Sequence, residues 1–350
     1  MYIDFPIKFN NNALFFRVLS TVLFLNCSSL DKNLSPFNKL EIETLVADSL
    51  MNIRALELTQ KNVVAVSSLG DVYRYNLEKQ SLVKSRFSKD TFNIRSIALV
   101  DGVLFSLGIG NPAVLYRDSV LVYFEKHPSV FYDSIDFWNS QEGIAMGDPT
   151  DGCISILITR DAGRQWSKIP CSQLPKTVEG EAAFAASDTN ISIFGDKVWL
   201  ASGGAVSRIL YSEDKGVTWR IFNTPIVQGS QTTGIYSIDF YDEKNGIAVG
   251  GDYTNPKANF NTVVKTTDGG QTWQPIQGLS VPSYRSCVQF IPNSKAMAIV
   301  ALGFQGIDYS ADAGKRWKHL SDQGYYTIRF LNDSVAFAAG SGRISKLSFK

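Results

Sequence analysis

Four copies of one turn and seven copies of one strand pattern predict an all-β chain, a seven-bladed β-propeller of four-stranded blades whose ring is closed by an N-terminal strand. The turn reads [Ser/Thr]-x-Asp-x-Gly-x-x-Trp and occurs at Thr159–Trp166, Ser212–Trp219, Thr266–Trp273 and Ser310–Trp317. Its aspartates, Asp161, Asp214, Asp268 and Asp312, follow one another at steps of 53, 54 and 44 residues. Such a period signals one supersecondary unit repeated in an array. The 12% aromatic content with only 4 Met suits β-rich packing better than helix packing.

Each position of the turn has a physical role. The Asp side chain accepts hydrogen bonds from backbone N–H groups further along and holds the turn tight. Gly163, Gly216, Gly270 and Gly314 supply a positive φ without steric cost. The Ser or Thr hydroxyl ties the turn to its incoming strand. Trp166, Trp219, Trp273 and Trp317 open the next strand and add a large apolar area. The aspartates read as hairpin staples, because four near-identical sites at four places on a ring cannot form one active site.

The strand pattern is an alternating strand, a turn, and a second strand ending in Gly. Leu40–Leu45 stands alone before the first copy. The copies begin at Arg54–Leu58, Arg95–Leu99, Asp133–Phe137, Glu181–Phe184, Tyr236–Phe240, Cys287–Phe290 and Tyr326–Phe330. Two further strands follow each of the first six pairs, joined by the Asp turn in copies three to six. Asn76–Lys79 and Asp118–Ser119 serve as plainer turns in the first two. The seventh copy has one further strand, Arg343–Leu347, so the lone strand at 40–45 is expected to complete it. That pairing joins the two ends of the ring and leaves no open inner sheet edge.

The N-terminus differs in kind. Lys8 and Arg17 precede the apolar run Val18–Leu25, then come Asn26, Cys27, Ser28 and Ser29. A basic region, a short apolar core and a polar boundary make an export signal. Cys27 resembles the lipidated cysteine of bacterial lipoproteins, although Asn26 replaces the usual small residue. The alternatives are a simple cleaved signal and an ordinary leader. The expected organisation is an export signal at 1–26, a lipidated tether at 27–38 and the propeller at 39–350, which places the protein in the cell envelope, in the periplasm or on the outer surface, attached to the membrane through a lipid anchor alone. There is no run of 18 or more apolar residues. Cys153 and Cys171 lie nine residues either side of position 162 and would face each other across the first Asp-turn hairpin. They are a disulfide if exported, or two unpaired small apolar residues.

The pieces Ile109–Ala113, Gly143–Pro149, Gly180–Ser187, Gly246–Tyr253 and Tyr284–Ser286, with the four turns, resemble exported bacterial Asp-box (BNR-repeat) propellers related to the photosystem II stability and assembly factors. The resemblance spans roughly 40–350. It implies a seven-bladed propeller. It also implies either a non-catalytic assembly factor, as in the photosynthetic members, or one of the looser labels of the other relatives, oxidoreductase and glycosyl hydrolase-like.

Strand direction locates a candidate site. The starts of the inner strands and the loops after the second strands converge at one end of the axis, while the Asp turns lie at the other. Arg54, Arg95, Asp133, Glu181, Tyr236, Arg285 and Tyr326 are expected there from the inner strands, with Asp148, Asp252 and Tyr253 from the loops. Arginines facing carboxylates and tyrosines suit an anionic or sugar-like ligand, and a charge-balanced, water-filled channel mouth would look the same.

Other chemistries fare worse. A net charge of +1 without a basic cluster argues against nucleic acid. Gly108–Ala113 matches G-x-G-x-x-[G/A], but Pro112 and a β-rich run follow where a helix N-terminus is required. His127 and His319 are the only histidines and fall at the rim, so no metal, haem or Ser-His-Asp chemistry is expected, and no cofactor. Glycoside hydrolysis needs two carboxylates, about 5–5.5 Å apart for retention or about 6.5–9.5 Å for inversion. Asp133, Asp148, Glu181 and Asp252 are the candidates. No Arg-Ile-Pro motif of the sialidases is present. The reading is a monomeric, non-catalytic scaffold that binds an envelope protein or glycan through its axial face, with a glycoside hydrolase as the alternative.

Overall fold

A computed structural model describes residues 37–350. The fold is all-β, and its strands pair into antiparallel sheets; a single 3-10 turn, Cys171–Gln173, is the one helical element among the described residues. The expected leader and Cys27 lie outside the described residues.

Four-stranded groups recur along the chain. Ile94–Val100, Val103–Gly108, Ala113–Arg117 and Val120–Glu125 form one sheet, and Tyr132–Phe137, Gly143–Thr150, Cys153–Thr159 and Ser167–Lys168 form the next. The long strand Leu40–Leu58 belongs to two groups. Its 53–58 stretch pairs with Asn62–Ser67, which leads on to Asp71–Asn76 and Ser81–Arg86. Its 40–47 stretch pairs with Ser341–Phe349, from Leu40 opposite Phe349 to Ala47 opposite Arg343. The stretch at 40–47 therefore pairs antiparallel with Ser341–Phe349, with one register shift between Thr44 and Val46. The inner strands neighbour one another in cyclic order. Leu40–Leu58 lies beside Ile94–Val100, then come Tyr132–Phe137, Ile191–Phe194, Thr233–Phe240, Cys287–Phe290 and Thr327–Phe330, which returns to Leu40–Leu58.

The fourth group departs from expectation. Its inner strand is Ile191–Phe194, paired with Lys197–Ala201 through the turn at Gly195. The Glu181–Phe184 stretch expected there is instead a two-residue ladder, Glu181–Ala182 against Gly203–Gly204. The alternating Ile-Ser-Ile-Phe with a Gly-Asp turn makes the better hairpin, and residues 183–190 become a loop.

The core is divided among the interfaces between neighbouring sheets. One cluster joins Phe105, Leu107 and Leu115 to Tyr132, Ile135 and Trp166. Others join Ile144 and Ile156 to Leu200 and Leu210, and Trp199 and Ile209 to Phe240 and Trp273. Burial of large side chains such as Phe105 and Leu107, each contributing about 1.5–3 kcal/mol, thus joins sheets to one another.

Each Asp turn has the same bonding. Asp214 Oδ1 accepts from the Ser212 hydroxyl at 2.7 Å and the Thr218 N–H at 2.8 Å, while the Gly216 N–H donates to Ser212 Oγ at 2.7 Å. The turns at Asp161, Asp268 and Asp312 repeat these three bonds. The register places Phe137, Gly143 and Thr159 at one end of their sheet, with Tyr132 and Gly147 at the other. The Asp turn thus stands at the far end from the inner-strand start. Cys153 and Cys171 are joined as a disulfide with Cα atoms 5.5 Å apart. Leu157 pairs with Lys168 and Ile158 with Ser167, so Cys171 bonds from the 3-10 turn just beyond the ladder.

Candidate functional site

A cavity of about 460 Å³ opens where the inner strands begin. Six of the ten expected residues line it: Arg54, Arg95, Asp148, Tyr236, Tyr253 and Tyr326. Alternation explains the inner-strand members, since successive residues point to opposite faces. Tyr253 follows directly after the strand Gly246–Asp252, whereas Asp148, expected on a loop, lies within the strand Gly143–Thr150, where the register shifts between Gly147 and Pro149.

The cavity has two unlike walls. On one side the Arg54 guanidinium lies 4.3 Å from the centroid of the Tyr326 ring and donates to the Ala186 carbonyl at 3.2 Å. Arg95 Nε is buried with no hydrogen-bond partner among the described residues. Burial, and next the charge of Arg54, lower the Arg95 pKa, while Asp133 and Tyr326 oppose the shift. Arginine keeps its charge regardless. On the other side is an aromatic wall. Phe184 stacks on Tyr236 with centroids 4.1 Å apart and planes 4° from parallel. Tyr284 meets Tyr236 edge-on at 4.9 Å, and Phe304 follows Tyr284 at 5.3 Å. The Tyr236 hydroxyl donates to the Thr232 carbonyl at 2.8 Å, which fixes the ring.

The remaining four expected residues lie outside the cavity lining. Asp133 is 0% exposed. Burial, and then the charge of Asp148, push its carboxyl well above the usual range against the opposing pull of Arg95. Glu181 is held by Arg208, whose Nε donates to Oε1 at 3.0 Å and whose Nη2 bonds Oε2, and it also accepts from the Ser202 hydroxyl at 2.6 Å. Arg285 is buried and donates through Nε to Asp308 at 2.6 Å; Asp308 also bonds His319 at 3.0 Å. Asp252 closes a turn on Thr254. Burial raises the Asp148 carboxyl to about 6, opposed by the Ala183 N–H that donates to it at 2.7 Å.

Phe131, Phe184, Tyr284, Phe304 and Gln231 also line the cavity and were not anticipated. One signal was available for Phe304: it follows Gly303 just as Asp148 follows Gly147, so the rule that selected Asp148 also reaches it. Tyr284 and Phe184 read as ordinary core aromatics.

A second cavity, of about 260 Å³, lies at the other end of the inner strands. Glu57, Asp136, Asp188 and Asp239 share it with Arg329 and Gln289. Loop 183–190 separates the two, with Ala182–Ala186 lining the first and Asp188 and Thr189 the second. No group of acidic, His or Cys side chains suited to a metal ion occurs among the described residues.

No family model matches the chain, and no curated protein does. Many solved structures share its fold, among them these two. One, described as YCF48 bound to D1 peptide, is similar with a TM-score of 0.63 at 11% identity, over 90% of this chain and 98% of that one. The other, described as the structure of U3-55K, has a TM-score of 0.61 at 11% identity, over 88% of this chain and 98% of that one. At this identity the likeness establishes the β-propeller fold.

Proposed function

We propose that the chain is a seven-bladed propeller acting as a non-catalytic binding scaffold, and that it takes a carboxylate-bearing peptide segment of a partner protein into the Arg54–Arg95 cavity. One observation carries the reading: two arginines, one with an unpartnered buried Nε, face a wall of stacked aromatic rings. Guanidinium groups recognise carboxylates through paired hydrogen bonds, and tyrosine and phenylalanine faces take an adjacent apolar or aromatic side chain. The fold neighbour described as bound to D1 peptide supports a peptide as the ligand. Seven four-stranded groups, with the cyclic order of their inner strands, support a seven-bladed ring. The basic and apolar leader ending at Cys27 supports an exported, lipid-anchored protein of the cell envelope.

The glycoside hydrolase alternative requires two carboxylates flanking a substrate. Among its four candidates only Asp148 lines this cavity, because Asp133 is fully buried and Glu181 is committed to Arg208.

The test is titration of fluorescein-labelled peptides that carry Glu beside Phe, with Gln-for-Glu peptides as controls. The Glu peptides bind wild-type protein, and Arg54→Gln or Arg95→Gln weakens them by about 10-fold or more, the scale of one charged hydrogen bond. Equal binding of the Glu and Gln peptides would overturn the reading.

A further inference from the structure

The cavity does not end at its own rim. A groove of about 410 Å³ adjoins it, lined by Thr177, Val178, Glu179, Gly180 and Glu181, and it shares Asp148 and Ala182 with the cavity. A chain that leaves the cavity on this side passes Asp148 and enters the groove.

The charge changes sign along that route. Arg54 and Arg95 lie behind Asp148. Ahead of it are Glu179 and Glu181. Glu181 is neutralised by Arg208, and its side chain is 0% exposed. Glu179 is exposed and has no ion pair among the described residues. Asp148 is half-buried, bonded through Oδ1 to the Ala183 N–H, and has no ion pair among the described residues. A half-buried carboxylate without a cation is costly, and a ligand ammonium or guanidinium placed against it removes that cost. A second carboxylate in the ligand at this point would be repelled.

Resting on the reading of the cavity as a peptide site, we infer that the ligand is a peptide with charges of both signs in a set order: a carboxylate at Arg54 and Arg95, then a lysine or arginine lying in the groove against Asp148 and Glu179. Order is the discriminating property. An acidic peptide fills the first half alone, and a basic peptide meets the two arginines first. The site would therefore select against uniformly acidic and uniformly basic segments, a use of repulsion as well as attraction.

The experiment uses the full chain and acetylated, amidated peptides of the form Glu-Phe-spacer-Lys, with Gly-Ser spacers of about two to four residues, the reach of an extended chain across a groove of this size. Companion peptides replace Lys by Gln, replace Glu by Gln, or reverse the sequence. For at least one spacer, wild-type protein binds the Lys peptide about 1.5- to 5-fold more tightly than its Gln counterpart, the scale of an exposed ion pair. Asp148→Asn, which keeps the oxygen that accepts from Ala183, together with Glu179→Gln, brings the Lys peptide and its Gln counterpart to equal affinity. If the Glu-dependent peptides bind but Lys and Gln versions are equal at every spacer, the charge order is wrong while the peptide site stands. If the reversed peptide binds as well as the forward one, the order is likewise refuted. If no Glu-containing peptide binds, the peptide site itself fails, and this inference with it.

Discussion

Four carboxylates share one guanidinium in the cavity at the Asp-turn end of the axis. Arg329 lies 3.3 Å from Glu57 and 4.0 Å from Asp188, and it donates to the Asp188 carbonyl at 3.2 Å. Asp136 accepts the Phe137 N–H at 2.7 Å and Asp239 the Phe290 N–H at 2.6 Å. The Cys287 thiol, itself raised by burial, and the Gln289 amide complete the polar surroundings. One positive charge cannot balance four negative ones in a site of low dielectric. Burial, first of all, raises Asp136 to about 7 and Asp239 to about 6, and it raises Glu57 and Asp188 as well. A carboxyl raised in the folded state holds its proton more tightly there than in the unfolded chain. Between its unfolded value of about 4 and its folded value, stability therefore falls as pH rises. The aspartates of the turns behave oppositely. Asp161 is lowered, chiefly by the Gln165 N–H; for Asp214, Asp268 and Asp312 burial opposes the shift, but their hydrogen bonds outweigh it. Their contribution is present above the unfolded value and lost as pH falls through the folded one. The melting temperature is thus expected to be highest in mildly acid buffer, to fall towards pH 8, and to fall again in strong acid. Asp136→Asn, which keeps the oxygen bonded to Phe137, reduces the fall on the alkaline side; a pH series of thermal melts on both proteins checks this.

At the scale of the element, the Asp turn is a clamp between sheets as well as a hairpin staple. Its glycine docks on the preceding group of strands. A Cβ at Gly163 would run into Phe105, and one at Gly270 would crowd Trp199 at 3.1 Å. The residue before the glycine offers its carbonyl to that same neighbour. Arg117 donates to Ala162 at 3.3 Å, Arg160 to Lys215, and Trp199 to Gly269 at 2.9 Å. Ala162, Lys215 and Ala313 hold φ near +60° to keep this carbonyl outward, at 60°, 57° and 57°. Asp214→Ala removes an acceptor used by Ser212, Val217 and Thr218 and should cost about 1–2 kcal/mol, net of water replacing the exposed bonds. Gly163→Ala should cost more, because it also forces Phe105 to move. Denaturant unfolding of the two variants tests the order. The turns were legible in the sequence because their chemistry is local and repeated four times. The inner strand Ile191–Phe194 was not, because Glu181–Phe184 has the same alternation and precedes it. Only pairing with Lys197–Ala201 decides between the two, and that is a tertiary fact.

Across the whole molecule, loop 183–190 ties the ring together from within. Arg54 donates to Ala186, Ser187 to the Ser286 carbonyl, and the Ile238 N–H to the Thr189 carbonyl. Asp188 accepts from the Ser96 hydroxyl and from the Ile97 N–H at 3.0 Å. The loop bonds to six other strand groups and divides the axis into a basic, aromatic end and an acidic one. Asp188→Ala leaves buried donors on Ser96 and Ile97 unsatisfied and should cost about 2–4 kcal/mol, read as a lower denaturation midpoint. The candidate site was half legible for the same reason that the loop was not. Strand starts follow from alternation, and that brought Arg54, Arg95, Tyr236 and Tyr326 together. Arg285 and Glu181 look equivalent in sequence, but their partners Asp308 and Arg208 lie 23 and 27 residues further on and are found only when the sheets form. The aromatic wall was hidden because a buried Tyr284 and a cavity-lining one have the same local pattern.

The most direct test of the binding account is a crystal structure of the protein with a Glu-Phe peptide soaked or co-crystallised. The account predicts the Glu carboxylate bonded to the guanidinium groups of Arg54 and Arg95 and the Phe ring against Tyr236 and Tyr284. A peptide seated on the outer edge of a sheet or in the acidic cavity, with the Arg54–Arg95 cavity holding only water, would contradict it.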